Sequence, residues 1–79
     1  MAFQTIIKKK EVRGTATIPA GNTSVDVSLT MPTTDYVVLL TPDTDVGVYV
    51  TNKSTTGFTI NLNSSKSVDV KIDYFVKEI

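Results

Sequence analysis

Eight carboxylates and eight basic side chains make up the charged groups of this 79-residue chain, and histidine and cysteine are both absent. That absence removes the cysteine nucleophile, the Ser-His-Asp triad, and zinc or haem held by His or Cys. The tightest acidic set is Asp43-Thr44-Asp45, in a segment that ends at Gly47. It reproduces the opening of a D-x-D calcium loop. Calcium takes about six to eight oxygens, including a bidentate carboxylate downstream. No such carboxylate follows, and Pro42-Asp43 also reads as turn chemistry. Paired acids can hydrolyse glycosides only in a cleft that pushes their pKa values apart. Asp26, Asp69 and Asp73 lie on polar strand faces, and Asp35 closes a Thr-Thr-Asp turn. The expectation is a chain that is not an enzyme and uses no metal or other cofactor.

Three further groups could make contacts. Lys8, Lys9 and Lys10 with Arg13 form the one basic cluster. It can meet an acidic partner through Lys8 and Lys10, or guard an edge strand against stray pairing. The net charge is +0, so no long-range field draws in nucleic acid or a membrane surface. Asn22, Asn52 and Asn63 each open an Asn-x-Ser sequon, a pattern that Ser- and Thr-rich turns also produce. Tyrosine is the remaining sugar platform, since Trp is absent. Tyr74 falls in phase with core positions. Tyr49 falls out of phase with Val48 and Val50 and is expected to face outward, toward a ligand or a subunit.

The elements that must position these groups are strands. Val, Ile and Thr supply 30 of 79 residues, against 3 Ala and 4 Leu. Such β-branched side chains suit a pleated surface and lose rotamer freedom in a helix. Turn residues gather at 19–22, 31–35, 41–45, 52–57 and 63–67. Between them apolar residues alternate: Val25, Val27, Leu29, Met31; Phe58, Ile60, Leu62; and Val68, Val70, Ile72, Tyr74, Val76. Period two marks strands with one face in a core. Strands near Gly14–Ile18 and Val46–Thr51 complete six or seven. The fold expected is all-β, an antiparallel sandwich forming a single domain over 1–79, with 1–12 as an N-terminal strand or arm.

One strand departs from the pattern. Tyr36-Val37-Val38-Leu39-Leu40 is apolar on both faces, so something must cover the face turned from the core. At 8.6 kDa a domain buries only about 60% of its unfolded surface, and this one has no disulfide. A second copy is therefore the expected cover, with Tyr36, Val38, Leu40 and Tyr49 at the contact. The competing cover is the N-terminal segment, through Phe3, Ile6 and Ile7. The amino end has no apolar stretch of signal-peptide length, and the longest apolar run of five residues is far short of the roughly 20 that span a bilayer. Synthesis in the cytosol, followed by retention there or exit by lysis or assembly, is expected.

Gly14 to Gly21, Tyr36 to Pro42, Val48 to Asn52 and Thr55 to Ile60 together resemble small β-sandwich domains of bacteriophage virion proteins. A more distant likeness is to the H-type lectins, through Val50-Thr51-Asn52 followed by Thr55-Thr56-Gly57-Phe58. The resemblance spans roughly residues 13 to 76 and is one of turn-and-strand grammar. It implies an immunoglobulin-like or lectin-like sandwich, a homotrimer, serving in the virion as a capsid decoration, head fibre or tail appendage. Partners would be its own copies and capsid or tail proteins. The lectins' sugar-binding residues have no counterparts in this chain. Glycan recognition on a tail fibre, using loops around Asp43, Asp45, Tyr49 and Asn52, is the alternative function.

Overall fold

A computed structural model describes residues 9–79. The strands are β1 (Glu11–Ile18), β2 (Ser24–Ser28), β3 (Tyr36–Pro42), β4 (Val48–Ser54), β5 (Gly57–Leu62) and β6 (Val70–Glu78). They form two antiparallel three-stranded sheets, ordered β1-β6-β3 and β2-β5-β4. The expected all-β sandwich is present, with six strands among the described residues. Only β4 and β5 are joined as a hairpin within one sheet; every other connection passes from sheet to sheet.

The inner faces follow the period-two pattern. Ile18, Val70, Ile72 and Val76 of one sheet meet Val27, Phe58, Ile60 and Leu62 of the other, with Tyr36 and Met31 closing one end. Phe58 sets its ring edge-on to Tyr74, with centroids 5.8 Å apart. Tyr74 is paired across the ladder with Gly14, and a Cβ at Gly14 would run into its ring. Glycine there makes room for the aromatic, which then spans the gap to Phe58.

Two turns need a left-handed backbone. In Pro19–Asn22 the Asn22 amide donates to the Pro19 carbonyl at 3.0 Å, with Gly21 at φ 84°. That is the geometry a type II turn asks of its third residue. At Gly57 φ is 151°, and a Cβ would collide with the Val27 carbonyl oxygen. No other residue type fits that approach.

Some strand limits differ from the sequence reading. Val68 is exposed and β6 starts at Val70, because the Asp69 carboxylate turns back to accept the Ala20 amide at 2.9 Å. Leu29 and Met31 follow the end of β2, yet their amides donate to Thr56 and Thr55 carbonyls and Met31 is buried. β1 begins at Glu11, inside the 1–12 segment expected to form a strand or an arm. Lys8, Phe3, Ile6 and Ile7 lie outside the described residues.

Candidate interaction surface

The outward face of the β1-β6-β3 sheet carries a short apolar stripe. Val37 is 43% exposed and Leu39 61%. Phe75 is half-buried and sits between Arg13 and Leu39 in the ladder. The Arg13 guanidinium lies over the Phe75 ring, 5.1 Å from its centroid. Such a stacked cation is worth about 0.5–1 kcal/mol at an exposed site and hides part of the ring from water. Charged and hydroxyl side chains rim the stripe. Lys77 stands 3.9 Å from Glu11, and the Thr15 hydroxyl donates to Asp73 at 2.8 Å. Together Arg13, Thr15, Leu39, Thr41, Asp73 and Phe75 line a shallow open concavity.

The phase of β3 corrects the expected contact set. Tyr36, Val38 and Leu40 were expected at a subunit contact, but all three point into the sandwich. Tyr36 is 0% exposed, and Val38 and Leu40 pack against the core. The cause is the tyrosine hydroxyl. It donates to the Ser54 carbonyl at 2.8 Å and the Gly57 carbonyl at 3.2 Å, in the β4–β5 turn of the opposite sheet. Anchoring Tyr36 inward forces Val37 and Leu39 outward. Burial holds the Tyr36 phenol above its ordinary value of 10.0.

Tyr49 is outward as expected, 51% exposed, but on the other sheet. That sheet's outer face is polar and bonded to itself. The Thr59 hydroxyl donates to Asp26 at 2.8 Å, and the Asn61 amide donates to the Thr51 hydroxyl at 2.8 Å. Asn52 sits in a bulge of β4 with φ 56°, its amide 3.5 Å from Thr59 Oγ1. The residues offered for ligand contact are not gathered. Asp43 belongs to the β3 end, where its carboxylate accepts the Lys71 amide at 3.0 Å and its own amide donates to Lys71 at 2.9 Å. It extends the β3–β6 ladder by one pair. Asp45 is exposed in the loop that follows. Lys10 ties down the β2–β3 connection by donating to the Thr30 carbonyl.

Among the described residues, no three acidic side chains cluster as metal ligands. Four of the carboxylates—Asp26, Asp43, Asp69 and Asp73—accept hydrogen bonds that fasten strands or turns. What this arrangement offers chemically is contact: an apolar stripe, a polar sheet and open strand edges. Sequence reasoning missed Val37, Leu39 and Phe75 as surface features, and placed Arg13 in the basic cluster without its stacking on Phe75. The signal for Leu39 was the doubly apolar strand; its phase was the part misread. Comparison of the chain with family models, with curated proteins and with solved structures gives no match in any of the three.

Proposed function

We propose that this chain is a non-enzymatic structural virion protein, a small module that docks onto capsid or tail proteins after assembling with its own copies. The observation that carries the assembly step is the Val37–Leu39–Phe75 stripe on the outer face of the β1-β6-β3 sheet. A domain of this size has little buried surface to spare, and removing that stripe from water adds to a thin margin. The placement in a virion is supported by the resemblance of the strand-and-turn pattern to phage sandwich domains. No catalytic step is assigned to any residue.

The test is the urea midpoint of the full chain over a hundredfold range of protein concentration. A self-assembling module unfolds at higher urea as concentration rises. A midpoint independent of concentration contradicts the assembly step. A second reading, glycan recognition, has the exposed Tyr49 beside the Asn61–Thr51 pair in its favour. Sugar binding to surface polysaccharides that is lost in Tyr49→Ala would establish it in place of the docking role.

A further inference from the structure

Among the described residues the sandwich leaves four strand edges, and they are not equally protected. β1 presents Glu11 and Arg13 and is preceded by exposed Lys9 and Lys10. β2 is five residues long with Asp26 at its centre. β4 is broken by the bulge between Thr51 and Ser54 and carries Lys53. Charge, shortness and bulges are the devices that discourage edge pairing. β3 has no charged residue over seven positions and exposes two aliphatic side chains.

The backbone of β3 specifies which groups are open. Hydrogen-bonded pairs alternate along an antiparallel ladder. The β3–β6 ladder is continued at its two ends by Ile79 donating to Asp35 at 3.0 Å and Asp43 donating to Lys71 at 2.9 Å. Odd-numbered residues of β3 therefore bond β6, and even-numbered ones aim their amides and carbonyls at the free edge. Tyr36 is already satisfied there: its amide donates to Thr34 at 3.1 Å, and its carbonyl accepts Lys53 Nζ at 2.6 Å. Pro42 has no N–H to offer. Among the described residues the open groups are the amides and carbonyls of Val38 and Leu40, with the Pro42 carbonyl beyond them.

We propose that two copies of this chain join edge to edge through β3, antiparallel, about a two-fold axis at Leu39. This rests on the self-assembly reading above and specifies its geometry. Val38 of one copy exchanges both backbone hydrogen bonds with Leu40 of the other, and the symmetry repeats the exchange. The neighbouring position sets Pro42, which lacks a donor, against Tyr36, whose carbonyl needs none. Centring the axis one residue either way breaks this match. At Val38, the Leu40 amide would be aimed at a carbonyl that Lys53 already occupies; at Leu40, the Val38 carbonyl would face Pro42. Leu39 then meets its own copy as a non-hydrogen-bonded pair, with Cα atoms ~4.5 Å apart and side chains in contact on the outer face. The product is a continuous six-stranded sheet. It is a dimer, in place of the trimer that the resemblance implies.

The experiment uses charge pairs at position 39, which is exposed and tolerates substitution without disturbing the core. By native mass, Leu39→Lys alone and Leu39→Glu alone should each raise the dimer dissociation constant at least about tenfold. Mixing the two variants should restore a dimer containing one of each. The chain has no cysteine of its own, so Leu39→Cys under mild oxidation should give a disulfide-linked dimer, and Val37→Cys should not. A wild-type trimer, or a dimer indifferent to these changes, overturns the β3 pairing and leaves self-assembly standing. A wild-type monomer overturns both.

Discussion

Tyr36 fastens one sheet to the other through a single hydroxyl, and its consequences can be measured. Tyr36→Phe keeps the ring against Phe58 but removes the bonds to Ser54 and Gly57. The expected loss is about 1 kcal/mol in a urea titration at neutral pH. The phenol also predicts a pH dependence. Its folded pKa lies above 10.0, so the unfolded chain surrenders the proton first as pH rises. Its contribution is complete below about pH 10 and is lost through the alkaline range above it. Unfolding followed from pH 8 to 12 should show a steeper alkaline decline in the parent than in Tyr36→Phe. Equal slopes would contradict the buried-phenol assignment. Gly57→Ala should be harsher, about 3 kcal/mol, because both the backbone angle and the Val27 carbonyl oppose a methyl group. Asn52 has a milder constraint. At φ 56°, Asn52→Ala should cost about 1 kcal/mol while Asn52→Gly stays within a few tenths.

At the scale of the elements, alternation was legible wherever one face is wet. Val25 and Val27, Phe58 to Leu62, and Val70 to Tyr74 each read correctly because Asp, Thr, Asn or Lys separates them. β3 has no such separators, so composition could not say which side of Tyr36 to Leu40 meets the core. A long-range bond decides it: the Tyr36 hydroxyl reaching the β4–β5 turn. Val68 shows the same limit, since the Asp69 carboxylate overrides the local pattern by capping the Pro19–Asn22 turn. The contact residues on the outer face were hidden for a related reason. Phe75 sits one place out of the apolar phase of β6, and nothing nearby in sequence shows that Arg13 will cover it. Side-chain pairs across a ladder become visible only once register is known. The clean antiparallel register also makes β3 the element whose edge matters most, because its open groups are few and self-complementary.

For the molecule as a whole, topology governs kinetics. Four of the five connections cross between sheets, so most stabilising contacts join residues far apart in sequence. Loop closure must then precede reward, and refolding is expected in roughly milliseconds to seconds, with no microsecond phase carrying the main amplitude. Stopped-flow tyrosine fluorescence measures this directly, since the chain has no tryptophan. Assembly is the other whole-molecule property. A small unstapled sandwich with Leu39 facing solvent beside an open β3 edge is expected to pack it against a copy of itself. The most direct test is the native mass of the full chain by light scattering at about 100 μM, run beside Leu39→Lys. A mass twice the 8.6 kDa of one chain, falling toward the single-chain value in the variant, is the predicted result. A parent that weighs one chain at that concentration contradicts the account.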